Sequence, residues 1–366
     1  MKQLLLILAL VCCLFAKAQD IHDTIAPQKK FQVTPMPILL FDPFTGFGYG
    51  VLANFNYLLG DASTTRYSNS QFLALHTTRG QTAVQANHQI FLHDEKFLWQ
   101  GKLQFLDWPE YTYGLGARTT DKEPMKELIS YRAIELEERI MWRLGTSKNF
   151  IGPQYRLFSC WNLSSDQADS VSFFKQQAIG NQSFIASGIG LHFVHDSRDN
   201  VQNAFTGKYL ELAVNPYVKV MGSTQNWTNI RVDFRWYHLF KAKNKRVIAT
   251  RLLCEQAVRE VPYMLTPMPG RYFATRGYVQ GRYRGKTYLS AEAEYRTHIW
   301  RKLGGVLFAN VNTVSEPNGT IQYVNPAAGA GVRVVLSPAQ RINLRIDYAR
   351  GLNDNGGLYF HVTEAF

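Results

Sequence analysis

Apolar and polar residues alternate along most of this chain. In Ile230-Arg231-Val232-Asp233-Phe234-Arg235-Trp236-Tyr237 the alternation is strict. From Lys208 to Val220, the residues Leu210, Leu212, Val214, Val218 and Val220 share one face, while Glu211, Asn215, Tyr217 and Lys219 share the other. A period of two marks a strand with one apolar side, because successive side chains on a pleated backbone point to opposite faces. The pattern predicts strands at 31–40, 47–59, 69–78, 81–92, 97–106, around 133–139, 149–163, 184–194, 208–220, 227–240 and 247–258. After the longest polar interruption it resumes at 288–300, 304–314, 330–336, 342–349 and 357–366, which makes sixteen strands, eleven before the interruption and five after. An even number keeps both chain ends on one side, with the short turns 241–245 and 337–341 on that side and the long loops opposite. The first strand has the faintest alternation, and a strand around Tyr113-Gly114-Leu115 is the alternative that restores parity.

In a soluble sandwich this alternation buries the apolar face; in a membrane barrel it turns that face to lipid and the charges to the lumen. Three features select the barrel. The strands are about ten residues long and rich in aromatics, with 23 Phe, 19 Tyr and 7 Trp in the chain. Their polar faces mix Arg with Glu, as in Ala133-Ile134-Glu135-Leu136-Glu137-Glu138-Arg139. No second apolar run reaches the length of a membrane helix. The predicted fold class is therefore all-β: a 16-stranded antiparallel transmembrane outer-membrane β-barrel. Glu138 falls on the lipid side of the count, which predicts a bulge or a near-rim position there.

The first eighteen residues read as a signal peptide, with Lys2, the apolar stretch from Leu4 to Phe15, and the small-x-small site Ala16-Lys17-Ala18. Cys12 and Cys13 lack the preceding small residue of a lipid-attachment site. Residues 19–30 follow as a short periplasmic leader, and 31–366 as the barrel. Export changes the meaning of the net charge of +12: nucleic acid is excluded as a partner, and anionic outer-membrane lipid or lipopolysaccharide takes its place. Cys160 and Cys254 fall on opposite faces of different strands, so no disulfide is expected. No His/Cys/carboxylate set has metal-ligand spacing, and Gly46-Phe47-Gly48-Tyr49-Gly50 opens a strand and not a helix, so neither a metal nor a cofactor is predicted. His195-Asp196-Ser197 has the residue types of a hydrolase relay, but adjacent strand residues point to opposite faces, so the chain reads as a non-enzyme.

The interruption from Val261 to Lys286 carries Arg271, Arg276, Arg282 and Arg284 among Tyr272, Phe273, Tyr278 and Tyr283. By parity it is an external loop. Arginines so interleaved with aromatics call for an anion or an acidic wall. The following strand offers such a wall, with Ser290, Glu292, Glu294 and Arg296 on its luminal face. Asn343, Arg345 and Asp347 share a face further on. Folded into the lumen, the loop could pair Arg276 with Glu292, Glu294 or Asp347, while Gly277 lets backbone approach closely. Such a plug would fill the wide pore that sixteen strands otherwise enclose. The alternative is an external basic loop against lipopolysaccharide.

Arg276-Gly277-Tyr278 resembles the Arg-Gly-Phe/Tyr tip of the sixth loop in the BamA/TamA-like (bacterial surface antigen) outer-membrane barrel superfamily, and sits five strands before the end as it does there. His195-Asp196-Ser197-Arg198-Asp199, leading to Phe205-Thr206-Gly207, resembles that family's periplasmic turn, in which Asp196, Arg198, Asp199 and Gly207 are the matching positions. Glu294-Tyr295-Arg296 and Gly329-Ala330-Gly331-Val332-Arg333 match later strands. Phe360, Val362 and the terminal Phe366 resemble a barrel-assembly signal. The resemblance implies a luminal loop lock, contact with the barrel-assembly machinery during biogenesis, and polypeptide or lipid insertion or translocation at the outer membrane. A plugged scaffold barrel and a passive channel are the alternatives. Three departures stand out. Asn310 replaces the aspartate of the family's Phe-x-Asp partner, Glu364 replaces an apolar residue near the end, and no POTRA domain precedes the barrel. The last predicts a separate periplasmic or outer-membrane protein partner.

Overall fold

The computed structural model describes residues 30–42, 44–61, 64–119, 126–177, 179–270, 275–338, 341–353 and 355–366. The expected signal peptide (1–18), all of the expected leader except Lys30, and Arg271, Tyr272 and Phe273 lie outside the described residues.

Sixteen strands close into one antiparallel barrel, each paired with its neighbours in sequence and the last with the first. They are β1 (Phe31–Asp42), β2 (Gly46–Tyr57), β3 (Ser68–Thr77), β4 (Thr82–Leu92), β5 (Phe97–Thr112), β6 (Glu127–Arg143), β7 (Asn149–Ser165) and β8 (Phe184–Asp196). The second half is β9 (Gly207–Tyr217), β10 (Trp227–Lys241), β11 (Arg246–Val258), β12 (Thr287–Trp300), β13 (Leu303–Val314), β14 (Asn325–Ser337), β15 (Ile342–Gly351) and β16 (Gly356–Val362). One short helix, α1 (Phe173–Gln177), lies between β7 and β8. No described helix is long and apolar enough to cross a membrane.

The two sides of the wall follow the alternation. Leu103, Ile189, Leu252 and Leu307 are exposed outward, whereas Glu137, Glu211, Asp233, Arg251, Glu292 and Asp347 are buried inside. With charge inside and aliphatic side chains outside, the outer face suits lipid and not water. Cys160 is buried on β7, Cys254 lies half-buried on β11, and both are free.

Four expectations are corrected. β5 continues to Thr112, because Trp108 to Thr112 pair with Tyr131 to Glu127, so the loop begins at Tyr113 and not at Asp107. β14 starts at Asn325 and not at Ala330, held by Asn312↔Asn325 across to β13. Of the two readings of Glu138 the bulge is overturned: β6 runs straight through Glu138, which pairs with Gly101 on one side and Tyr155 on the other. Its carboxylate accepts the Trp99 indole N–H at 2.7 Å on the outer face, and Gly101 leaves it room. β16 stops at Val362 and not at Phe366, because Thr363 takes a left-handed backbone (φ 75°) and turns the last residues inward.

The lumen is filled at two levels. Towards the long-loop end, Phe158, Phe174, Phe184, Trp227, Tyr263 and Met264 form an apolar cluster under the loop that follows β11. Glu127 fixes α1 from below, accepting from the Ser172 hydroxyl and the Phe174 N–H, both at 2.7 Å. Deeper inside, the wall carries the charges.

Candidate functional site

The β11–β12 loop enters the lumen, and its Arg276 guanidinium contacts three carboxylates: Glu292 and Glu294 of β12, and Asp347 Oδ2 of β15 at 2.6 Å. The Phe308 ring lies 3.6 Å from the guanidinium carbon. Asn310 does not bind the Arg276 charge: its Nδ2 donates to the Arg276 backbone carbonyl at 2.9 Å, so it holds the main chain. Gly277 has φ 97°, and a Cβ there would lie 2.5 Å from the Ala327 methyl. Only glycine meets both demands. Its N–H donates to the Tyr359 hydroxyl at 3.1 Å. The Tyr278 hydroxyl donates to the Pro326 carbonyl at 2.6 Å and accepts the Leu352 N–H at 3.1 Å.

Convergence of acids from β12 and β15 needs an unobstructed strand between them. β14 supplies it: a Cβ on Gly331 would lie 1.9 Å from Asp347 Oδ1, and one on Gly329 would lie 2.4 Å from the Phe308 ring. With the inner face of β14 bare at these two positions, Asp347 leans across it towards the loop.

The same acids bind wall arginines and, through them, the C-terminus. Arg296 holds Glu294 at 2.6 Å, and Arg333 bridges Asp347 (2.6 Å) and Glu364 (2.7 Å). Asn343 donates to Glu364 at 2.8 Å, and Arg296 donates to the Phe366 carbonyl at 3.0 Å. Phe366 is buried beside Tyr237, with ring centroids 6.3 Å apart. Of the expected assembly signal, Phe360 and Val362 therefore lie on β16, while Phe366 sits inside the barrel. The polar Glu364 suits its place because that place is a guanidinium and not lipid.

A second anchor was not visible in the sequence. Arg284 reaches Glu110 of β5 at 2.6 Å, with both side chains buried, and its backbone carbonyl accepts the Gly116 N–H at 2.7 Å. Arg282 lies over the Tyr113 ring at 4.7 Å. The loop thus spans the interior, from β12 and β15 on one side to β5 on the other. Its only sequence signal was an acid one place after Pro109, in a stretch read as loop.

At the short-turn end, Asp196 accepts the Arg198 guanidinium through both oxygens at 2.9 Å. Asp199 accepts the Phe205 and Thr206 N–H groups at 2.9 and 3.2 Å, and Arg341 from the next turn but two at 2.6 Å. Burial opposes ionisation of Asp199, but Arg341 and the two N–H groups outweigh it and hold the carboxyl below its usual range. Gly207 has φ 106°, and a Cβ there would lie 2.3 Å from the Ser197 carbonyl oxygen. His195 does lie 3.2 Å from Ser197, two residues along the same side, but its other ring nitrogen meets Asn149 at 2.7 Å. Asp196 is taken up by Arg198, and among the described residues no carboxylate bonds to the imidazole.

The seam between the first and last strands is distinctive. β1 pairs with β2 along its whole length, from Phe31↔Tyr57 to Asp42↔Gly46, but, among the described residues, with β16 only at Phe41↔Phe360. Backbone phase explains this. The Leu58 N–H donates to the Lys30 carbonyl, so even-numbered residues of β1 point their polar groups at β2 and odd-numbered ones at β16. Pro35 and Pro37 are odd, and neither has an N–H to offer. Extending the Phe41↔Phe360 register would set Pro37 opposite Glu364 and Pro35 opposite Phe366. These are the residues that turn inward.

A closed sixteen-stranded barrel with an aliphatic outer face and a charged interior is a transmembrane barrel of the Gram-negative outer-membrane class. Residues 57–366 match the family model described as the Omp85 superfamily domain, and the chain belongs to that superfamily. Among solved structures it is similar to BamA from Haemophilus ducreyi lacking POTRA domains 1–3, with a TM-score of 0.61 and 14% identity over 92% of this chain and 70% of that one. It is also similar to CdiB from Acinetobacter baumannii (TM-score 0.59, 10% identity, 92% of this chain and 60% of that one). CdiB from Escherichia coli gives a TM-score of 0.57 at 9% identity, over 93% of this chain and 63% of that one. No characterised relative matches by sequence.

Proposed function

We propose that this barrel inserts or translocates polypeptides at the outer membrane, using the incompletely paired β1–β16 edge as its working surface and the arginine loop as a lock on the lumen. The observation that carries this reading is the seam. Odd-numbered β1 residues and even-numbered β16 residues present polar groups that the partner strand does not take up, and an incoming strand can pair with such an edge. The loop supports the same reading, because a plugged lumen directs traffic to the wall and not through the pore. Outer-membrane lipid, lipopolysaccharide and the barrel-assembly machinery are the partners that a barrel of this superfamily meets, and a separate protein partner would work at the short-turn end.

The test uses the purified chain in phospholipid vesicles, with an unfolded outer-membrane barrel protein added. Insertion is scored by heat-modifiability and protease protection. Acceleration over empty vesicles is expected, and a disulfide between Leu39→Cys and Val362→Cys should abolish it until reductant is added. Equal rates with the seam bridged, or no acceleration at all, would count against the proposal. Conductance in planar bilayers separates the rivals: a passive channel conducts steadily, whereas a plugged scaffold barrel neither conducts nor accelerates insertion.

A further inference from the structure

We propose that the lumen holds a specific site for one small monovalent anion, halide in size, on Arg345. The inward positions of β13 to β16 run across the wall in register: Gly304↔Arg333, Arg333↔Arg345, Arg345↔His361. That row carries two guanidiniums and an imidazole but no carboxylate. Among the described residues the nearest acid, Asp347, is 3.7 Å from Arg345 Nε. Both its oxygens are already taken, Oδ2 by Arg276 and Oδ1 by Arg333, each at 2.6 Å. Arg276, Arg296 and Arg333 all have carboxylates at hydrogen-bond distance; among the described residues Arg345 has none.

Arg345 is only 2% exposed, and its Nε and Nη1 have no hydrogen-bond partner among the described residues. Buried N–H groups without an acceptor are costly, and those of a guanidinium more so than neutral ones. The side chain lines a cavity of about 30 Å³ together with Thr275, Arg276, Tyr359 and His361. That volume suits one or two water-sized occupants. An anion satisfies the guanidinium in both charge and hydrogen bonding, while water supplies only the second. The lining comes from the loop (Thr275, Arg276), from β15 (Arg345) and from β16 (Tyr359, His361). A bound anion therefore ties the loop to the last two strands.

Two measurements on the full chain decide it. Crystals grown or soaked in sodium bromide should show one anomalous peak within hydrogen-bond distance of the Arg345 guanidinium, absent in Arg345→Met. In detergent, the unfolding midpoint should rise by roughly 2–4 °C in sodium bromide relative to sodium gluconate at equal ionic strength. Lys302→Met, a surface change at the short-turn end, should leave that rise intact, and Arg345→Met should remove it. If Arg345→Met does not fold, the wild-type comparison of the two salts still decides. Equal midpoints in the two salts with no peak at Arg345 would overturn the proposal and assign the cavity to water.

Discussion

The Arg333 guanidinium holds the Glu364 carboxylate at 2.7 Å and so draws the end of the chain into the barrel. Since Arg333 also binds Asp347, which binds Arg276, the tail and the arginine loop share one set of charges. The unpaired stretch of β1 and the inward-turned tail are thus two results of the same arrangement. Pro35 and Pro37 give β16 no donors there, and the interior gives the tail better partners.

Arg276→Ala leaves Glu292, Glu294 and Asp347 partly uncompensated inside the barrel. Removing one partner of a buried ionic network costs about 3–5 kcal/mol. Urea unfolding in detergent should show a loss of that order, with Arg276→Lys in between because an ammonium lacks the planar fork. An unchanged unfolding curve would remove the loop's role as a lock.

Gly331→Val tests the bare strand. Its first side-chain atom would fall on Asp347 Oδ1, so the carboxylate must leave either Arg333 or Arg276. A loss of about 1–3 kcal/mol is expected from overpacking alone. Gly305→Ala, on β13 where only the flexible end of the Ile299 side chain stands near the new methyl, controls for loss of a strand glycine as such. If both variants unfold alike, the crossing of β14 by Asp347 has no energetic weight.

Pro35→Val with Pro37→Val restores two N–H donors on the β16-facing edge of β1. Each new backbone bond contributes about 0.5–1.5 kcal/mol if β16 lengthens to meet it. Amide hydrogen exchange of residues 356–366 should slow in the double variant. Exchange rates equal to wild type would mean that the interior network alone sets the end of β16.

The Asp199 turn should open only in acid. Because the folded carboxyl titrates below its usual range near 4, its stabilisation is present above that pH and disappears as pH falls through the folded value. Proteolysis between residues 197 and 206, by an acid-active protease, should therefore rise below about pH 4. Asp199→Asn should show the raised susceptibility at neutral pH as well. A wild-type turn that opens near pH 6 would contradict the Arg341–Asp199 pairing.

Much of this was legible in the chain. Alternation is local, so Ile230 to Tyr237 declare a half-apolar strand without help from any neighbour, and sixteen such stretches declare a barrel. The acids Glu292, Glu294 and Asp347 could be named as the wall for Arg276 because they share an inward phase with Arg296 and Arg345. Glu110 could not be named for Arg284, because the aromatic Trp108-Pro109-Glu110-Tyr111 stretch has no clean period. Its strand character comes from pairing with β6.

The sequence by itself determined the strands, their inward and outward faces, and the loop with its Arg-Gly-Tyr tip, since each depends on neighbours within a few residues. Only the tertiary structure decided which charges meet. Closing the ring sets register across β12 to β16, bares β14 at Gly329 and Gly331, and lets one carboxylate serve both Arg276 and Arg333. It also decided the end of β16, where Thr363 turns the chain inward. That choice depends on an interior arginine and on two prolines more than three hundred residues earlier, distances over which no sequence period carries information.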